Sequence, residues 1–412
     1  MAFVNLFAPT ISAMRADATA FKVISDNIAN SVTPGYKAAD TRFGELLTQT
    51  ASSTTDYYGG TYPQIQNFVD KQGTIAPTQR PFDIAINGKG FLVSNTALDG
   101  SGDYLLGRAG QLVGTTVQTG GTEATYLTDS SGAYVLGWQA DANGNFTTSN
   151  SVSSLTPIRI DTASTQFDPV ATTAAMYNGV LPAGDAAGSV VTGSLPVVDA
   201  QGVEHTLSLQ FTKSATPNTW DMVASVSDGT VSSGSTATLS FDATGALVSP
   251  TSQSLGLTFS GSGGSTSVAL DLSPTRELGA PFTTLGYSQN GITAGQLVSL
   301  AFDDKGVLSG TFSNGQTRAL YKLPLAAVNS PDQLAPVDGT HFALTPKSGD
   351  ITLFDASQSE VGSFVPSALE QSTTDIGTEF SKLILTQQSY ASATRAFTVA
   401  DDMARVAYQL KS

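Results

Sequence analysis

Residues 202–226 read GVEHTLSLQFTKSATPNTWDMVASV. His205, Leu207, Leu209 and Phe211 fall on every second position, and Trp220, Met222, Ala224 and Val226 do so again. A period of two places these side chains on one side of an extended segment, so each segment has one buried and one wet face. Val268, Leu270 and Leu272 repeat the pattern.

A turn signature recurs around these segments. Residues 129–132, 141–144, 199–202, 242–245 and 303–306 each read D-x-x-G. Asp at the first position can accept bonds from nearby backbone N–H groups. Gly at the fourth tolerates positive φ, which suits a bulged hairpin. The recurrence predicts antiparallel hairpins rather than parallel β/α units, and it is too irregular for a solenoid.

Both ends of the chain change period. Phe7, Ile11, Met14, Ala18, Phe21, Ile24 and Ile28 recur every three or four residues, which is one apolar stripe on a helix. Pro9 fits its first turn, and Pro34 with Gly35 stops it. At the other end Ile376, Phe380, Leu383, Gln387, Tyr390, Thr394 and Phe397 alternate spacings of four and three. Met403, Val406 and Leu410 continue this less strictly, as in a long amphipathic helix with coiled-coil spacing. Such stripes either pack on the protein's own core or meet other subunits. Their place at the extremes of a β-rich chain favours the second. Isolated helices of this length are marginal in water, so the ends are expected to order when their stripes are covered.

The fold class expected is mainly β with α-helical termini. Antiparallel β domains are nested by insertion, and the N- and C-terminal helices form a coiled-coil-like inner domain. The boundaries are 1–32 and 367–412 for the helical domain and 33–79 for an extended connection, rich in Ser, Thr, Tyr and Gly at 48–61. Residues 80–164 and 286–366 make an inner β domain and 165–285 an outer one, with Pro274, Gly279 and Pro281 marking the return crossing.

Composition narrows the function. The 412 residues carry a net charge of −15, and only 13% are charged. An acidic chain repels phosphate backbones and anionic lipid, so neither nucleic acid nor a membrane surface is an expected partner. There is no Cys, hence no disulfide, thiolate metal site or Cys nucleophile. No apolar run approaches the ~20 residues of a membrane helix. The N-terminus lacks the basic start of a cleaved secretory signal, so none is expected. Residues 1–32 are net neutral, so the N-terminal helix can be crowded without strong repulsion.

Motifs for chemistry are weak. His205 lies in an alternating segment and His341 beside a turn, and both read as structural. No G-x-S-x-G elbow, phosphate-binding loop or dinucleotide fingerprint occurs. The doublets Asp303-Asp304 and Asp401-Asp402 read as solvated faces rather than a glycosidase pair. The segments 99–103 and 141–145 lack the ligand set of a calcium loop. No catalytic residue, metal or cofactor is expected.

Asn27-Ile28-Ala29-Asn30-Ser31-Val32-Thr33-Pro34-Gly35-Tyr36-Lys37 resembles the signature that follows the first helix of bacterial flagellar rod and hook proteins. Its family-pattern positions are Asn27, Asn30, Thr33, Gly35, Tyr36 and Lys37. Residues 82–91, FDIAINGKGF, resemble the segment that opens the family's inner β domain, with Leu92 for the usual second aromatic. Residues 106–112 resemble its R-x-G-x-F motif, with Leu112 for Phe. Residues 368–372, 387–390 and 400–403 resemble its terminal helix, although Thr373 and Ser389 replace the usual Asn and Arg. The matches occur in the family's order and flank nearly the whole chain. The inserted segment, with a D-x-x-G-x-x-H turn at Asp199, Gly202 and His205, is similar to the hook outer domain.

The resemblance implies a structural, non-enzymatic subunit of the flagellar hook that assembles into a hollow flexible tube and transmits torque from rod to filament. A distal-rod or other hook-like axial protein, and then a secreted β-rich adhesin, remain as alternatives. The implied partners are further copies of the chain, the rod, hook-cap and hook–filament junction proteins, and the flagellar type III export apparatus. The implied location is extracellular, after export without a cleaved signal. Assembly would use the apolar stripes of both terminal helices. Phe43 and Leu47 fit the F-x-x-x-Φ pattern attributed to export-gate docking of such subunits.

Overall fold

The computed structural model describes residues 4–46, 60–119, 121–141, 144–160, 166–261, 263–356 and 361–409. The chain divides into two compact units. The first comprises Met1–Asp161, Leu300–Gly310 and Arg318–Ser412, and the second Thr162–Ser299 and Thr311–Thr317.

The second unit contains a β-sandwich. One sheet takes Val190–Val198, Glu204–Lys213, Thr219–Val226, Thr236–Phe241 and Leu247–Ser249 in sequence order, all antiparallel. The alternation read from the sequence sets its inner face. His205, Leu207, Leu209 and Phe211 are buried, as are Trp220, Met222, Ala224 and Val226. They share one core with Tyr177, Leu257, Val268, Leu270 and Leu272 of the opposing sheet. At ~25 cal/mol per Å² of apolar surface removed from water, this inner face dominates the unit's stability.

The second sheet departs from the expected hairpins. Ala174–Pro182 pairs in parallel with Ser265–Asp271 and with Arg276–Leu278. Parallel neighbours need a long crossover, and the entire first sheet lies in that connection. Thr283–Gln289 also pairs with Ala174–Pro182, and Asn290 Oδ1 accepts from the Thr173 and Ala174 amides at 3.0 Å each.

The first unit begins with helix α1 (Val4–Ala29) and ends with helix α2 (Ile376–Gln409). Part of the expected extended connection is an antiparallel hairpin of β1 (Ala39–Leu46) and β2 (Gly60–Asn67), with Ala39 opposite Asn67. Its Ser/Thr/Tyr-rich stretch at 48–59, and Leu47, lie outside the described residues. Next, β3 (Ile75–Pro77) pairs with Ala368–Glu370, and Ile84–Gly88 pairs with Gly362–Pro366. Two cores follow, one around Ile84, Leu127, Leu323 and Phe364, the other around Phe91, Leu106, Trp138 and Phe342.

All five D-x-x-G turns share one chemistry. The Asp Oδ1 accepts from the amide four residues on at 2.8–3.1 Å, at Asp129, Asp141, Asp199, Asp242 and Asp303. Each Gly has φ between +74 and +85°, where a Cβ would be strained.

Both histidines are tied to these turns. His205 Nε2 lies 3.3 Å from Asp199 Oδ2 and its ring stacks on Phe259. His341 sits between Asp129, 3.0 Å from Nε2, and Asp338, 3.0 Å from Nδ1. Burial pushes the His341 imidazole down, but the hydrogen bonds to and charges of Asp129 and Asp338 outweigh it, and its pKa is raised above 6.5. A raised folded pKa gives stability that is full below the unfolded value and is lost as pH rises through the folded one. Urea titrations followed by Trp138 fluorescence are therefore expected to show first-unit stability falling as pH rises above about 6.5. His341→Asn removes that fall, and an identical fall in this variant would contradict the role given to His341.

Candidate assembly site

The motif after α1 builds a buried node that ties both helices to the β-structure. Asn30 and Thr33 close the helix end, with Thr33 Oγ1 donating to Asn30 Oδ1 at 3.2 Å and the Asn30 amide side chain donating to Asp26 O at 2.9 Å. Gly35 then has φ +75°, and a Cβ there would stand 2.5 Å from the Ala109 backbone nitrogen. Only Gly allows this approach. The Gly35 amide donates to Glu370 O at 2.8 Å, and the Thr373 amide to Tyr36 O at 3.2 Å.

Asn27 works in both directions. Its amide nitrogen donates to Ala39 O at 2.7 Å and to Glu379 Oε2 of α2 at 3.0 Å. Its Oδ1 accepts from Tyr36 OH and the Ala39 amide at 3.1 Å each. Burial, with the charges of Asp26 and Glu379, pushes the Tyr36 phenol up to about 12, so it stays a donor.

Below this lies a charge cluster. Lys37 Nζ donates to Glu370 Oε1 at 2.6 Å and to Lys71 O at 2.5 Å. Arg108 Nη1 stands 3.6 Å from Glu370 Oε2, with its guanidinium over Phe91. All three side chains are almost fully buried. Burial, then the Arg108 charge, pushes the Lys37 ammonium down to about 8 although Glu370 acts the other way. Two cations thus depend on one carboxylate. The cluster is structural: it holds the strand that leads into α2.

Helices α1 and α2 run antiparallel. Asn27 meets Glu379 at one end, while the Phe7 and Phe397 rings lie 5.1 Å apart near the other, with Thr394 Oγ1 3.7 Å from Met14 Sδ. Carried to Val4, this register reaches about Asp402. The last turns of α2 therefore pass the first described turn of α1.

The apolar stripes divide between two faces. Ile24 is buried, and Phe7, Ile11, Met14 and Ile28 are half-buried, as are Leu383 and Phe397 on α2. By contrast Phe21, Ile376, Phe380 and Tyr390 are 44–49% exposed, and Met403 and Val406 are 62% and 56% exposed. Leu410 lies outside the described residues. Phe43 is exposed on β1.

Sequence reasoning missed what covers the inner face. Ala16 and Ala20 of α1 and Ala400 of α2 are buried, and Ala393, Ala404 and Ala407 are half-buried. Small residues let helices approach closely, and their spacings of three, four and seven would have revealed the face. Ile384, Leu385 and Val399 join the exposed apolar set. Among the described residues, no group of three or more His, Cys, Asp or Glu could hold a metal ion, and no helix is long and apolar enough to cross a membrane.

Family models match three stretches in order. They are the flagella basal body rod protein at residues 10–37, the flagellar basal body protein FlaE D2 domain at 181–292, and the flagellar basal body rod FlgEFG protein C-terminal at 365–410. A terminal helical pair around an inserted β unit, with these matches, defines an axial protein of the bacterial flagellum. The flagellar hook protein FlgE of Rhizobium meliloti is 28% identical over 97% of each chain. That of Brucella abortus is 29% identical over 100% of each, and that of Escherichia coli 27% over 98% of this chain and all of its own. The crystal structure of Helicobacter pylori flagellar hook protein FlgE2 aligns with 72% of this chain and 100% of its own, at 14% identity and a TM-score of 0.48. The chain belongs to the flagellar hook protein family. It is a structural subunit of the hook and forms a homopolymer there.

Proposed function

We propose that polymerisation proceeds through the exposed apolar face of the α1–α2 pair. The observation that carries this reading is the division of α2. Ala400 is buried and Leu383 and Phe397 are half-buried, whereas Ile376, Phe380, Tyr390, Met403 and Val406 stand in solvent. Exposed large apolar side chains in this number mark an association site. A repeated contact between unlike patches gives an open helix rather than a closed ring. The helical pair lines the bore of a hollow tube, the inner β domain surrounds it, and the outer domain, with its low charge, makes contacts that shift as the tube bends. Residues 1–32 with 367–412, 33–79, 80–164 with 286–366, and 165–285 are the working domains of this arrangement. Purified chain, sedimented and viewed by negative-stain electron microscopy, should give hollow tubes, and closed rings or amorphous aggregate would count against the reading.

The same reading assigns the ends of the tube to rod and hook–filament junction proteins, its growing tip to a hook cap, and delivery to the flagellar type III apparatus without signal cleavage. Phe43 with Leu47 serves export. Phe43→Ala should lower the secreted amount severalfold without unfolding the β domains, and normal secretion would remove the motif's role.

A further inference from the structure

The two ends of the helical pair are fastened by different forces. Where α1 stops and α2 starts, polar groups hold them. Asn27 and Glu379 are 1% and 4% exposed, and the Asn27 side chain donates to Glu379 Oε2 at 3.0 Å. Lys382 Nζ donates to Glu379 Oε1 at 3.2 Å and to Asp40 Oδ1 of β1 at 3.3 Å. Glu379 and Lys382 thus join α1, α2 and the β1–β2 hairpin. Asp375 caps the start of α2, its Oδ1 accepting from the Thr378 amide at 2.9 Å, which satisfies one of the amides that a helix start leaves free.

The other end is held by apolar contact, with the Phe7 and Phe397 rings 5.1 Å apart and Thr394 Oγ1 3.7 Å from Met14 Sδ. Burial follows the same division. Among the described residues of α1, those buried are Ala16, Asp17, Ala20, Val23, Ile24 and Asn27, on the side of Glu379. Among those of α2 only Glu379 and Ala400 are buried, while Ile384, Leu385 and Val399 are 54–66% exposed. Segments with few buried contacts open first. A helix fixed at one end is already nucleated, and each further residue adds a hydrogen bond.

We propose that the Asn27–Glu379 contact is a one-ended clamp. In the free subunit the helices part from the Phe7–Phe397 end and stay joined at Asn27–Glu379, and a neighbouring copy closes them toward the tips. The clamp places both helices before the neighbour arrives, so docking has only the tips to order, which lowers its entropic cost. The closing step rests on the assembly reading above, and the clamp does not.

Hydrogen exchange of the unmodified chain, resolved by mass spectrometry, separates the two. In the free monomer the amides of 18–28 and 380–387 should exchange about tenfold slower than those of 8–14 and 396–408. Uniform exchange along both helices, or slower exchange at the tips, would overturn the clamp and leave the assembly reading standing. In sedimented tubes the tips should slow to the rate of the clamped end. Tips as fast in tubes as in monomer would overturn the closing step together with the assembly reading, and leave the clamp standing. Two substitutions test direction. Glu379→Ala favours helix intrinsically but removes the acceptor shared by Asn27 and Lys382, so exchange should quicken about tenfold at the clamped end as well as at the tips. Phe397→Ala should quicken the tips alone. Equal spread from both substitutions, or a clamped end unchanged by Glu379→Ala, would overturn the clamp.

Discussion

Phe380→Asp is expected to abolish tube formation while leaving the monomer folded and soluble. Phe380 is 49% exposed in the second turn of α2. In the monomer an Asp there meets solvent, at a helix-propensity cost of about 0.5 kcal/mol. In the proposed interface the same position becomes buried against a neighbouring copy, where an unpaired carboxylate costs several kcal/mol. Even 3 kcal/mol per subunit raises the critical concentration more than a hundredfold, since every 1.4 kcal/mol is tenfold. Sedimentation measures the polymer, and circular dichroism of the supernatant checks the fold. Normal tubes from this variant would remove Phe380 from the interface.

The second large effect concerns the node. Glu370→Ala leaves Lys37 and Arg108 buried without their shared carboxylate. It also deprives the Gly73 amide of its acceptor, Glu370 Oε1, at 2.6 Å. Breaking a buried pair by removing one partner costs about 3–5 kcal/mol, because the remaining charge is uncompensated. The two tryptophans separate the consequences: Trp138 is buried in the first unit and Trp220 in the second. In urea the Trp138 transition of Glu370→Ala should move to markedly lower denaturant while the Trp220 transition stays in place. An unmoved Trp138 transition would show that the cluster does not support the first unit.

The β-rich middle was legible because burial of one face imposes a period of two, and His205 through Phe211 obey it without interruption. The D-x-x-G turns were legible because their bonds are local. Both helices were legible from apolar spacing, but their buried alanines were not. A heptad reading puts the large residues in the seam; Phe7 against Phe397 and Met14 against Thr394 obey it, whereas Phe380 and Met403 are turned outward while Ala16, Ala20 and Ala400 are buried. The charge cluster was hidden because Lys37 and Glu370 are 333 residues apart and Arg108 belongs to another motif. Parallel pairing by Ala174–Pro182 was hidden for a similar reason, since no local signal marks a strand whose partner follows a whole sheet.

The central claim is that the outward face of the helical pair becomes an interface. Limited proteolysis with intact-mass analysis, run on monomer and on sedimented tubes, tests it most directly. The claim predicts that cleavage within α1 and α2 is markedly faster in the monomer, where Phe21, Phe380 and Tyr390 stand exposed, than in the tubes, which keep both helices intact. Equal cleavage of the two helices in monomer and tube, or full resistance of both in the free monomer, would contradict it.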